Sequence, residues 1–210
     1  GMDLHLLAYG INSNKAGFRS WLRTIEEGKR EQAKGRLKKL KELGFVLDEE
    51  DVNRFALGRI PTGMSFLKAM LIRPENKGDP RLGRYVDGDR ANSPYLNFYL
   101  DYLRGGKPAF VPISEVKSLE ALSLVKSFGG VPVLAHPSDT PDEVINLLIE
   151  TGLEGLEVYS SYHDEPTTLK FLKIAKDNNL LITAGSDFHG LDVKPDVRLA
   201  EIPGNDYTLF

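Results

Sequence analysis

The spacing of apolar positions changes twice along the chain. Asp3 to Ile11 reads as one β-strand. From Phe18 the period becomes helical, with Phe18, Trp21, Leu22, Ile25, Leu37 and Leu40 on one face and Gly44 as the stop. Between Phe45 and about Pro112 the strand signal disappears. Short helix-periodic pieces, Val52 to Leu57, Phe66 to Ile72 and Tyr95 to Leu103, flank a stretch from Pro74 to Pro94 dense in Gly, Pro, Asp and Asn, which predicts helices around a mobile loop. Regular alternation follows: a helix over Leu119 to Phe128 ended by Gly129-Gly130, an all-apolar strand over Val131 to Ala135, and a helix opened by Thr140-Pro141-Asp142-Glu143 with Thr140 as N-cap and closed by Gly152. A strand over Leu156 to Tyr159, a helix over Leu169 to Ala175, a strand over Leu180 to Ala184 and a last strand over Leu199 to Ile202 complete the pattern. Repeated strand-helix units predict an α/β domain with a parallel sheet or barrel. The predicted organisation is a barrel part, residues 1–44 and 113–210, interrupted by a helical insert or cap, residues 45–112.

Composition narrows the chemistry. With 210 residues, 41% of them hydrophobic, the chain can bury a real core. A net charge of -3 gives no global reason to expect extended nucleic acid or a membrane surface as partner. There are no cysteines, so disulfides and thiolate metal sites are excluded and a reducing cytoplasm is compatible. No apolar run approaches the roughly 20 residues that span a bilayer. Gly1 before Met2 reads as a remnant of tag removal.

The candidate chemistry sits where strands end. Leu134-Ala135-His136-Pro137 and Thr183-Ala184-Gly185-Ser186-Asp187-Phe188-His189-Gly190 each run from β-forming residues into metal-ligand side chains. Asp187 and His189, two apart on an extended segment, leave the same face. A carboxylate with imidazoles suits Mn, Fe or Zn better than the all-oxygen preferences of Mg or Ca. Each residue has a plainer reading beside it. His136 before proline reads as a hydrogen-bonded structural histidine, Asp187 as a helix cap, His5 among Leu4, Leu6 and Leu7 as a core histidine, and His163 in Ser161-Tyr162-His163-Asp164 as a surface residue.

Taken in order, His5-Leu6-Leu7-Ala8-Tyr9-Gly10, Gly58-Arg59-Ile60-Pro61, Gly129 to Pro137, Leu156-Glu157-Val158-Tyr159 and Gly185-Ser186-Asp187-Phe188-His189 resemble the polymerase and histidinol phosphatase (PHP) family of metal-dependent phosphoesterases. The resemblance implies an incomplete PHP-type distorted (β/α)7 barrel with a helical insert and metals at the C-terminal strand ends. It implies hydrolysis of phosphate esters of nucleotides or small metabolites by metal-activated hydroxide. It implies His5 and His136 as ligands of one metal, Asp187 of a second and His189 of a third, with Arg59 and His163 contacting the substrate. No side chain stands out as a catalytic acid or base.

The chain departs from the family pattern in two places. After Arg59 the sequence continues Ile60-Pro61-Thr62, where the family often has proline and histidine. The opening strand of the family, with its histidine pair, aspartate and bridging glutamate, has no counterpart before His5, as in a sequence that begins late or a naturally shortened member. A full site would hold two or three divalent metals; this polypeptide is expected to hold at most one, weakly, because each ion needs about four to six ligands. Open sheet edges would then favour a homo-oligomer. The alternatives are a non-catalytic shortened module that binds a phosphorylated ligand or a protein partner, and an amidohydrolase-type barrel, which leaves the alanine-histidine-proline run unexplained.

Overall fold

The structure is a computed structural model that describes residues 4–113 and 118–202. They form two compact units, one of residues 20–113 with 189–196, the other of residues 4–19, 118–188 and 197–202. The division drawn from the sequence at Gly44 differs from this one, because all but the first turn of the long helix packs with the helical unit.

The helical unit is built on α1 (Phe18–Glu42), whose Ala33, Leu37 and Leu40 recur on one face and enter the core. Gly44, at φ +86°, ends the run. Asp48 then caps α2 (Glu49–Ala56) by accepting from the Asp51 amide, and its first turn is acidic, as the helix dipole favours. Leu57 and Gly58, both left-handed, turn the chain into α3 (Gly63–Leu71), which supplies Phe66, Leu67 and Met70 to the core.

The turn-rich stretch from Pro74 to Pro94 is not a bare loop. It holds a 3-10 turn (Pro74–Asn76) and the single-turn α4 (Pro80–Gly83). Leu82 and Tyr85 are buried, and the buried Asn76 side chain bonds both backbone groups of Val46 and the carbonyl of Met70. Next, α5 (Pro94–Phe98) runs into a π-helical turn (Tyr99–Leu103), where Phe98 and Tyr102 stack at 5.1 Å.

The other unit is a four-stranded sheet in the order β1 (Leu6–Tyr9), β2 (Val131–Leu134), β3 (Gly155–Ser160), β4 (Leu181–Gly185). The last three strands are parallel, as the alternation predicts, but β1 runs antiparallel to β2, with Leu6 opposite Leu134 and Tyr9 opposite Val131. Among the described residues β1 and β4 do not pair, so the sheet is open. Helices α6 (Ser118–Ser127), α7 (Asp142–Thr151) and α8 (Glu165–Asp177) cover it. Leu122, Leu134, Ile145, Leu148, Leu156, Val158 and Phe171 make one core, and β3 is buried along almost its whole length.

Three local expectations change. The strand expected from Asp3 to Ile11 is confined to Leu6–Tyr9 because Gly10, at φ +67°, turns the chain; Asp3 lies outside the described residues. Thr140 does not cap α7. Its amide closes the preceding 3-10 turn onto Pro137, and Pro141 occupies the N-cap position without a side-chain bond. No strand forms over Leu199 to Ile202, since Ala200 sits at φ +60°, outside the extended region.

Candidate active site

The antiparallel pairing of β1 explains how two histidines far apart in sequence meet. Because β1 reverses direction, its first residues lie beside the C-terminal end of β2. The His5 carbonyl accepts from the Ala135 amide, just past β2, at 2.9 Å, and the residue after Ala135 is His136. The His5 Nδ1 stands 2.9 Å from His136 Nε2, with ring centroids 4.8 Å apart and the rings nearly perpendicular. His5 is therefore placed at the start of its strand, not in the middle of it.

Both residues that end strands β2 and β4 in the predicted site have unusual backbones. His136 has φ 30° and ψ 62°, and Asp187 has φ 53°. A left-handed residue other than glycine costs on the order of 1–3 kcal/mol, and such strain persists where surrounding structure imposes it. The constraint on His136 is visible. Its amide donates to Glu157 Oε2 at 2.8 Å. Asp187 Oδ2 accepts from the Tyr162 hydroxyl at 2.8 Å, and the Tyr162 ring lies 5.8 Å from that of His136. Ser161 Oγ donates to the Ser186 carbonyl at 2.8 Å, tying the turn after β3 to the end of β4.

Glu157, unassigned in the sequence reading, is the centre of this arrangement. It lies on β3, between β2 and β4, and is only 4% exposed. Burial pushes its carboxyl above the ordinary carboxylate range, opposed by the bond from the His136 amide and the nearby His136 ring, and reinforced by Asp187. The sequence did carry a signal: a glutamate within an otherwise apolar buried run must be compensated or functional. Tyr162 had no such signal. Its hydroxyl is also pushed up, first by burial and then by its bond to Asp187, so it remains a donor across the neutral range.

A bulge lies next to Glu157. Glu157 pairs with Thr183 and Tyr159 with Ala184, so the β3–β4 ladder skips Val158. The Val158 carbonyl accepts from His163 Nδ1 at 2.8 Å. His163 is 5% exposed and its ring packs on Phe171 at 5.0 Å. The expected substrate contact would require that ring to leave this packing.

The remaining expected residues fall elsewhere. His189 is exposed and belongs to the segment 189–196 of the helical unit. Arg59 is exposed after the left-handed Gly58 in the same unit. Among the described residues no three histidine, aspartate or glutamate side chains converge as a metal cage. The 2.9 Å between His5 Nδ1 and His136 Nε2 is a hydrogen bond between the rings, and two nitrogens on one tetrahedral ion stand about 3.3 Å apart, so the pair would open slightly to hold an ion. Two imidazoles and a neighbouring carboxylate suit a borderline divalent ion.

Against this geometry the comparisons are consistent. No protein-family model matches the chain. It is similar to a 3',5'-nucleoside bisphosphate phosphatase of Chromobacterium violaceum, 26% identical over 192 residues that cover 89% of this chain and 62% of that protein. It is also similar to a phosphoribosyl 1,2-cyclic phosphate 1,2-diphosphodiesterase of Eggerthella lenta, 24% identical over 191 residues, 90% of this chain and 68% of that one. Among solved structures, a protein from Bifidobacterium adolescentis, provisionally described as a metal-dependent phosphoesterase, superposes with a TM-score of 0.69 at 22% identity, over 95% of this chain and 66% of that one. An amidohydrolase from Chromobacterium violaceum, solved with sulfate and no metal, gives 0.66 at 25% identity, over 96% and 67%. The chain thus spans about two thirds of the length of the proteins it matches.

Proposed function

We propose that the chain carries part of a PHP-type phosphoesterase site, acting on phosphate esters of nucleotides or other small metabolites with a divalent metal, Mn, Fe or Zn. The observation that carries this reading is the meeting of His5 and His136 at 2.9 Å beside two strand ends, His136 and Asp187, both held in left-handed backbone. The phosphatase and the phosphodiesterase that the chain resembles are named for small phosphorylated compounds, and the sulfate in the amidohydrolase neighbour has the shape and charge of phosphate.

In this reading His5 and His136, with Asp187 and His189, are the ligands. A metal bound there would polarise a phosphoryl oxygen and lower the pKa of a bound water toward neutrality. The protein's own groups prepare that site. Both imidazoles must present lone pairs to the ion. Tyr162 orients Asp187 by donating to Oδ2. Glu157 accepts from the His136 amide without being a ligand itself. Arg59, with its planar fork, supplies phosphate recognition. The barrel of the family extends the four-stranded sheet seen here, and the setting is cytoplasmic.

The 210-residue polypeptide is expected to hold at most one metal, weakly, and to have little or no activity by itself. The test is hydrolysis of a generic phosphate monoester and a diester with Mn added. Turnover that chelation abolishes and Asp187→Ala removes supports the enzyme; turnover indifferent to both sinks it. Phosphate binding without turnover at any metal concentration would favour the second reading, a non-catalytic module.

A further inference from the structure

We propose that Glu157 is a positioning residue that fixes the ends of β2 and β4 together, through its bond to the His136 amide on one side and its occupation of the space above Gly185 on the other. The inference rests on the metal-site reading only for its consequence, not for its geometry.

Topology singles out β3 for this task. It is the strand that neighbours both β2 and β4, so a side chain near its middle can reach toward both. Glu157 does so. One carboxylate oxygen, Oε2, takes the His136 amide at 2.8 Å, a charge-assisted bond directed at the residue whose backbone is left-handed. The other side of the carboxylate lies against Gly185. A Cβ built there would overlap Oε1 and stand 2.9 Å from Cδ. Gly185 does not have a positive φ, so the backbone does not demand glycine at this position. The atoms that a Cβ there would meet are those of the Glu157 carboxylate, which would have to shift to admit it. Gly185 leads through Ser186 into Asp187, so the same carboxylate that holds one ligand-bearing turn sets how closely the other strand approaches.

The bulge is consistent with this placement. By skipping Val158, the ladder changes the alternation of β3 against β4 next to Glu157, and bulges re-aim side chains in this way. The carbonyl of the skipped residue is taken by His163, so the irregularity has its own backbone partner.

The experiment uses the full 210-residue chain and the variants Glu157→Gln, Glu157→Ala, Gly185→Ala and Glu157→Ala/Gly185→Ala. Glutamine keeps an acceptor and nearly the same volume. Amide exchange at His136 by NMR reads the bond directly, and Mn binding, measured with the metal alone, reads its consequence. Expected are His136 exchange at least about 10-fold faster in Glu157→Ala with Val133 and Leu134 unchanged, protection retained in Glu157→Gln, and Mn affinity reduced about 10–100-fold in Glu157→Ala, the usual range for groups that orient ligands. Gly185→Ala is expected to weaken Mn binding by itself, yet to add nothing to Glu157→Ala, because the overlap is gone.

Unchanged His136 exchange in Glu157→Ala, or additive effects in the double variant, would overturn the proposal. So would Mn binding lost in Glu157→Gln with His136 protection intact, since Glu157 would then be a ligand. If the unaltered chain binds no Mn while the exchange and the coupling behave as expected, the metal reading fails and the positioning role stands.

Discussion

Replacing His163 by phenylalanine should remove a specific acid sensitivity of the fold. His163 is buried, its Nδ1 donates to the Val158 carbonyl, and its Nε2 has no hydrogen-bond partner among the described residues. A carbonyl only accepts, so the neutral ring carries its proton on Nδ1 and leaves a bare lone pair at Nε2. Protonation would create a charged N–H inside the core with nothing to receive it. Burial accordingly pushes the imidazole below its ordinary 6.5, with the Val158 bond opposing, His136 reinforcing and Asp164 opposing. The unfolded chain takes a proton near 6.5 and the native chain only at lower pH. Stability from this group is therefore complete above 6.5 and is lost as pH falls below it, with a limiting slope of about 1.4 kcal/mol per pH unit.

His163→Phe keeps a ring against Phe171 but loses the Val158 bond, a pH-independent cost of roughly 1–3 kcal/mol. Urea unfolding at pH 7.5, 6.5 and 5.5 separates the two effects. The gap between wild type and variant should narrow by at most about 0.4 kcal/mol from 7.5 to 6.5 and by up to about 1 kcal/mol from 6.5 to 5.5. A gap that stays constant over all three values would refute the buried, neutral assignment. Glu157 does not confound the comparison, because its raised carboxyl titrates with the opposite sign and is present in both proteins.

Three other outcomes follow from the same structure. Asn76→Ala leaves both backbone groups of Val46 and the Met70 carbonyl without their partner and should cost about 2–4 kcal/mol by urea unfolding; a loss below about 1 kcal/mol would mean that water replaces the side chain. Arg59→Ala, at an exposed position, should leave stability within about 0.5 kcal/mol and, on the proposed reading, weaken the binding of inorganic phosphate; unchanged binding removes Arg59 from that reading. Strand β4 presents a free edge among the described residues with Leu181 55% exposed, so light scattering should show a mass above that of one chain, and Leu181→Lys should lower it; a monodisperse monomer would show that the edge is tolerated uncovered.

Much of the fold was legible because local signals coincide with tertiary ones. Gly44 and Gly152 both adopt the left-handed conformations that stop α1 and α7, and the apolar run at Val131 forms a buried strand. Legibility failed where a local signal had two outlets. Thr140 could cap a helix or close a turn, and the 3-10 turn after His136 claimed it. The Gly, Pro and Asp between Pro74 and Pro94 gave the look of a free loop, yet the chain is held there by Asn76, Leu82 and Tyr85, contacts that span distant positions and leave no periodic trace.

The site shows the same division more sharply. His136 and Asp187 were legible as residue types at strand ends and His5 as a histidine within a strand, but the partnership of His5 with His136 depends on β1 running antiparallel, a matter of pairing that hydrophobic spacing does not encode. With β1 parallel, His5 would lie at the opposite end of the sheet from His136 and the pair could not form. Glu157 was visible as a charge in an apolar strand, whereas its two contacts depend on β2 and β4 both flanking β3. Two left-handed strand ends, each carrying a local cost, need a group between them that makes the strained arrangement the stable one. A buried carboxylate bonded to one end and packed against the approach to the other meets that need. The glycine at 185 leaves that carboxylate its place, since a Cβ there would displace it.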